Sequence, residues 1–344
     1  IDGANDVSLS GGRQDGYAQI GHGGSKDSGG SYGSGAATGD ISVVNTAGKV
    51  TLLAGDGGEN GYAQIGHGGV AMAGSASGEI EVHSGTGGIL VQGGAGNRAT
   101  AQIGNGGYNS DNPISGAVTV LAKGTGVADG IVMQGGSGIS SAAMIGGGHY
   151  LVNNTTITGS TTVEVRNGGL SMAGGSGQYA YVTIGHGNRA DASNMGASHM
   201  SGSVNVNVLG GDLTLKGGSN QMTSAQIGHG GNAIAGNRSG DIAVEVAGGI
   251  SVASGTGSHA YAQIGHGGYG SNGSLLGAIE VTANGGPVEV DASGGGQDAY
   301  GQIGHGGSRS RGYFEGDIAL TNAGDLLLEA GQAGHTYALV GHGG

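Results

Sequence analysis

Seven histidines occupy one place in a recurring nine-residue motif. His22, His67, His186, His229, His266, His305 and His342 each stand between glycines, as in GYAQIGHGG at 16–24 and again at 61–69. Imidazoles repeated every ~5 Å along stacked strands carry the donors that could chelate Zn²⁺ or Ni²⁺. Neighbouring rings, once protonated, would repel, which would make the row a pH switch. A third use is architectural: each ring bonds a backbone group or its neighbour at a chain corner. The two remaining copies of the motif carry Asn105 and Gly147 at this place. Asn can replace His in a corner bond, so the sequence favours a ladder over a metal row or catalysis.

The same motif carries Gln19, Gln64, Gln102, Gln226, Gln263 and Gln302 at a second place and Tyr17, Tyr62, Tyr181, Tyr261, Tyr300 and Tyr337 at a third. Stacked amides can hydrogen-bond along an axis, which predicts a glutamine ladder beside an interrupted tyrosine ladder. Alternation puts Ala18 and Ile20 on one face, inward, and Tyr17 and Gln19 on the other. The glycine after each Ile supplies positive φ at a sharp corner.

These residues need elements that repeat with them. The corner glycines Gly21, Gly66, Gly104, Gly146, Gly185, Gly228, Gly265, Gly304 and Gly341 lie 37–45 residues apart, a unit with a constant core and elastic loops. Each unit holds three short alternating segments. The first is AQIG, the second reads G-D-I-x-V as in GDISVV (39–44), and the third reads x-L-x-L as in KVTL (49–52). Period-2 patterns rich in β-branched residues are strands. A single unit cannot bury its apolar face, whereas stacked copies make continuous Ile/Val/Leu ladders. The expected fold is all-β: a parallel β-helix or β-solenoid with one three-strand coil per repeat and essentially no helix. Two narrower coils per repeat are the alternative. The array forms a single unit over 1–344, of about eight to nine repeats, anchored at 20–24, 65–69, 103–107, 145–149, 184–188, 227–231, 264–268, 303–307 and 340–344.

Composition closes other classes. Glycine makes up 87 of 344 residues with only 2 prolines, and there is no Gly-X-Y period, so collagen is excluded. Regularly placed apolar residues, 36% of the chain, argue against a flexible linker. A formal charge of −13 without a basic stripe argues against nucleic acid. No cysteine is present, so disulfides and thiolate sites are ruled out. No apolar run reaches the ~20 residues of a membrane helix.

Weaker signals are placed against that frame. GGQDAYGQI resembles the calcium nonapeptide G-G-x-G-x-D-x-U-x poorly, because its period is missing and the acidic place varies among Asp15, Glu59, Asn97 and Asp298; no cofactor is expected, with calcium the one weak candidate. Glu81, Glu164, Glu245, Glu280 and Glu289 alternate along strands as a solvated face does, without the converging carboxylates of a glycosidase, and no enzyme is expected. Unique sequence lies in the loops after each GHGG corner. They carry Tyr32, Tyr108, Tyr150, Tyr269, Tyr313 and Phe314 with Arg238, Arg309 and Arg311. Exposed aromatics there could stack on sugars or anchor a protein.

The pair G-D-I-x-V…G-x-L-x-L-x-A-G, present as GDISVVNTAGKVTLLAG (39–55) and GDIALTNAGDLLLEAG (316–331), resembles the haemagglutinin-type repeats of filamentous-haemagglutinin-like bacterial surface adhesins. The resemblance implies a right-handed parallel β-helix exported to the bacterial outer surface or extracellular space as an adhesive stalk or fibre. The YAQIGHGG strand departs from that family and lengthens the unit. The chain opens in a third-type strand (DVSL) and closes on a first-type one, with no cap visible. Hence the expected partners are further coils, by end-to-end self-association or in a longer chain. Glycans or a host or cell-surface protein could bind the loops.

Overall fold

The computed structural model describes residues 1–24, 35–109, 112–126, 130–148, 155–187 and 197–344. Among these there is no helix, and the strands stack in parallel as a β-solenoid of about eight turns with one coil per repeat. The first sheet collects the AQI strands, Ala18–Ile20, Ala63–Ile65, Ala101–Ile103 and onward to Tyr337–Val340. The second collects Ile41–Asn45, Ile80–Ser84, Val118–Ala122 and their successors, and the third Val7–Ser10, Val50–Leu53, Ile89–Gln92 and theirs. Each has nine strands in sequential order. Register is identity-preserving: Ala18 pairs Ala63, Gln19 pairs Gln64 and Ile20 pairs Ile65. The chain's first strand, Asp2–Ala4, belongs to the second sheet, so a second-type strand precedes DVSL.

The core follows from alternation. Ile80, Val82, Ile89, Val91, Ala101 and Ile103 of successive strands point inward and are at most 2% exposed. Each Ile or Val withdrawn from water contributes about 2 kcal/mol, and it does so only once a neighbouring coil covers it. Aspartates explain the G-D pattern. Asp40 Oδ1 accepts the N–H of Glu79 one coil on at 2.9 Å, and Asp241 accepts that of Ala278 at 2.9 Å. Asp6 and Asp212 do the same before the third sheet, toward Lys49 and Gly249, at 2.8 Å. These carboxylates staple coil to coil.

A fourth element has no counterpart among the three patterned segments. Between each GHGG corner and second-type strand lies a strand of two or three residues, from Ala37–Thr38 and Ala76–Ser77 to Leu275–Leu276 and Phe314–Glu315. Eight of them form a ribbon. With the loop before it, the ribbon folds over the back of the first sheet and closes a second, lateral compartment. Ile114, Ile157, Met200 and Ile234 fill part of it.

Candidate functional site: the ladders of the lateral compartment

The corner is set by backbone. Gly66 and Gly265 have φ of 151° and 155°, and a Cβ on either would lie within 2.0 Å of the glycine carbonyl of the next coil. No other residue fits, so the chain turns here in every coil and aims the following side chain into the compartment.

That side chain is the histidine. His67, His186, His229, His266 and His305 are at most 1% exposed, while His342 is half-buried and His22 exposed. The backbone N–H of each donates to Nδ1 of the next: His22 to His67 at 3.0 Å, His186 to His229 at 3.0 Å, His229 to His266 at 2.9 Å, His266 to His305 at 3.0 Å and His305 to His342 at 3.1 Å. On the other edge, Nε2 of His67, His229, His266, His305 and His342 donates to the carbonyls of Gly39, Gly202, Gly240, Gly277 and Gly316 at 2.6–2.8 Å. An acceptor Nδ1 and a donor Nε2 define the neutral imidazole. Rings stack at 4.5–5.1 Å.

Burial keeps His186, His229, His266 and His305 neutral. It lowers the pKa of His186 to about 4, and of His266 and His305, with help from adjacent imidazoles, to about 3 and about 4. His229 lies well below its ordinary value for the same reasons. At His229, His266 and His305 both nitrogens are committed to main chain, leaving no lone pair for a metal, whereas His186 bonds through Nδ1 alone and its Nε2 has no partner. Among the described residues no group of three or more His, Asp or Glu could hold one. Asn105 reproduces the imidazole's bonds: Oδ1 accepts the N–H of His67 at 2.9 Å, and Nδ2 donates to Gly78 and Ser115 carbonyls at 2.9 Å. At Gly147, Ile114 and Ile157 close over the space a side chain would enter.

The glutamines differ from a chain of amide-to-amide bonds. Only Gln19 donates to the next glutamine, Gln64, at 3.3 Å. Otherwise each Nε2 reaches forward to two glycine carbonyls of the next corner: Gln64 to Gly104 and Gly106, Gln102 to Gly146 and Gly148, Gln226 to Gly265 and Gly267, Gln263 to Gly304 and Gly306, and Gln302 to Gly341 and Gly343, at 2.8–3.2 Å. The corner turns carbonyls toward the axis, of which those of Gly106, Gly267, Gly306 and Gly343 also accept a corner N–H, and these outcompete a neighbouring amide. Where the following coil has a tyrosine, Oε1 serves its hydroxyl. Tyr62 donates to Gln19, Tyr261 to Gln226, Tyr300 to Gln263 and Tyr337 to Gln302 at 3.3–3.4 Å. Where Met144 replaces glutamine, Tyr181 donates to its sulfur at 3.6 Å. Tyr17 stacks on Tyr62, and Tyr261, Tyr300 and Tyr337 stack successively, at 4.8–5.0 Å. Burial pushes the hydroxyls of Tyr261 and Tyr300 well up, so they remain donors.

The loop residues divide. Tyr313 is 60% exposed and Arg309 and Arg311 are exposed, whereas Phe314 and Tyr108 are half-buried and Tyr269 packs against Tyr261 and Tyr300. Neither Phe314 nor Arg238 is a loop residue: both lie in the ribbon, Phe314 half-buried and Arg238 fully buried, the latter because the position's inward register outweighs its charge. Tyr32 and Tyr150 lie outside the described residues.

Sequence reasoning missed a second column. Two residues before each tyrosine position, Asn60, Arg98, Ser140, Tyr179, Met222, His259, Asp298 and His335 all hold φ of 55–61°. Within it Asp298, 1% exposed, meets His259 Nε2 at 3.2 Å, His335 Nδ1 at 3.0 Å and Arg309 Nη2 at 3.0 Å. Its carboxylate is thereby spoken for by protein groups. The recurring position before G/A/T/S-Y was the available signal, but its residue type changes in every copy. No protein-family model, curated protein or solved structure matches the chain.

Proposed function

We propose that this chain is a structural repeat segment of a large secreted bacterial surface protein, serving as an adhesin stalk or extracellular fibre, and that it is not an enzyme. The observation that carries the reading is that the repeated Tyr, Gln, His and Asp side chains spend their polar groups on the neighbouring coil. Residues used this way build a rod. The haemagglutinin-type repeat pattern supports placing that rod outside the cell. Among the described residues no helix is long and apolar enough to cross a membrane.

The natural partner is a further coil, from a continuing chain or a second copy. Leu326 and Leu328, 48% and 43% exposed, take the positions that Val288 and Val290 fill at 0% one coil earlier. Asp317 and Asp325 repeat Asp241 and Asp212, which staple the coil after them. Electron microscopy of the native material tests the reading: long filaments with a ~4.8 Å axial spacing are expected, and short isolated rods would overturn it.

A second reading rests on Tyr313 and the exposed Arg311 beside it, which could grip a glycan or protein. A glycan-array signal lost in Tyr313→Ala would favour it.

A further inference from the structure

Ribbon residues face the lateral compartment, and the series is apolar: Ala37, Ala76, Ile114, Ile157, Met200, Leu275. Arg238 breaks it, in register between Met200 and Leu275 and 0% exposed. Nη1 donates to the carbonyls of Gly236 and, at 3.2 Å, Asn272. Nε and Nη2 have no partner. These two form one edge of the guanidinium, the parallel N–H fork that takes both oxygens of a carboxylate.

No described group in the compartment bonds to that fork. Arg238 forms no ion pair among the described residues. The rings of His229 and His266 already use both nitrogens. The Tyr261 hydroxyl donates to Gln226, and its oxygen accepts nothing from the fork. Burial lowers the guanidinium pKa only to about 10, so the charge persists at neutral pH. An unpaired charge removed from water is strongly unfavourable. The ladders are also thinned at this level: Ser224 stands in the tyrosine place of the same coil, and Thr183 in the glutamine place one coil earlier.

We propose that the Arg238 fork binds a small carboxylate anion, of formate size, as a counter-ion buried inside the lateral compartment. Full burial of the side chain excludes a carboxylate carried on a macromolecule. The anion would accept from Nε–H and Nη2–H, and its charge would also lessen the cation felt by His229 and His266.

The test is thermal unfolding of the full chain at pH 7.5, with sodium formate replacing sodium chloride at constant ionic strength. It is paired with ¹³C-formate NMR to count bound anions. The parent should gain Tm with the logarithm of formate concentration and show one bound formate. Arg238→Met, which restores the residue type of the preceding coil, should fold and lose both responses. Arg238→Lys, keeping charge without the fork, should bind formate at least tenfold more weakly. Equal formate responses in the parent and Arg238→Met, or none in the parent, would overturn the proposal. So would a Tm loss in Asp191→Asn with a parent indifferent to formate. That result would give the fork to the chain's own Asp191, which lies outside the described residues.

Discussion

Replacing His266 by alanine and by asparagine separates the corner ladder from any chemistry of imidazole. In the native coil His266 Nδ1 accepts the buried N–H of His229 at 2.9 Å, and Nε2 donates to the Gly240 carbonyl at 2.8 Å. His266→Ala orphans one buried donor and one buried acceptor, each costing about 1–3 kcal/mol. The vacated ring space adds about 1 kcal/mol or more, for a total of about 4 kcal/mol. His266→Asn can restore both bonds, as Asn105 does at 2.9 Å on each side. It should therefore cost about 1 kcal/mol, chiefly for lost ring stacking. Denaturant unfolding at pH 7.5, followed by far-UV circular dichroism, reads the difference. Equal losses for the two variants would refute the reasoning, because hydrogen-bond replacement would then count for nothing.

Acid should unfold the solenoid well above the carboxylate range. His186, His266 and His305 titrate at about 4, 3 and 4 when folded and near 6.5 when unfolded, so the unfolded chain binds more protons. Their contribution is complete above pH 6.5 and is lost as pH falls toward 4, at about 4 kcal/mol per pH unit for the three together. A Tm flat between pH 7.5 and 5 would contradict this. Gly265→Ala should abolish folding or cost more than about 4 kcal/mol, since its Cβ would fall 1.9 Å from the Gly304 carbonyl at φ 155°; a Tm near the parent's would refute the corner geometry. Gln263→Leu strands the Tyr300 hydroxyl and the Gly304 carbonyl, while the Gly306 carbonyl keeps the Gly268 N–H, and should lose about 3 kcal/mol. Gln263→Met, whose sulfur can accept as Met144 does for Tyr181, should lose less, and the reverse order in a denaturant series would count against the ladder. Asp298→Asn should cost about 2 kcal/mol by loosening Arg309, His259 and His335, with changed side-chain NMR signals of His259 and His335 as the structural check.

The three patterned strands were legible because their physics is periodic. An inward Ile or Val every second residue can be read from letters alone, and so can a glycine repeated where a turn needs positive φ. The equivalence of His and Asn105 was legible for a similar reason: two residues that share one bond geometry can alternate at one place. The ribbon was not. A strand such as Ala76–Ser77 is too short to show a period, and it forms because the eight copies stack, not because any copy prefers it. Without the ribbon, Gln263 and Tyr300 read as the outer face of the first sheet; with it they are 0% exposed. Arg238 illustrates the same limit, since charge and a glycine-rich setting suggest a surface loop while register places it inside. The left-handed column of His259, Asp298 and His335 shares a backbone conformation and no residue type, so a search for repeated letters passes over it.

The central claim is that the corner histidines His229, His266 and His305 are neutral, doubly bonded structural groups. Side-chain ¹⁵N NMR at pH 7.5, and at pH 5.5 with the chain still folded, tests it most directly, with and without Zn²⁺. His229, His266 and His305 should show a protonated Nε2 and an unprotonated, hydrogen-bonded Nδ1 at both pH values, with no change on adding zinc. Imidazolium signals from the folded chain at pH 5.5, or zinc-induced shifts at these rings, would contradict the account.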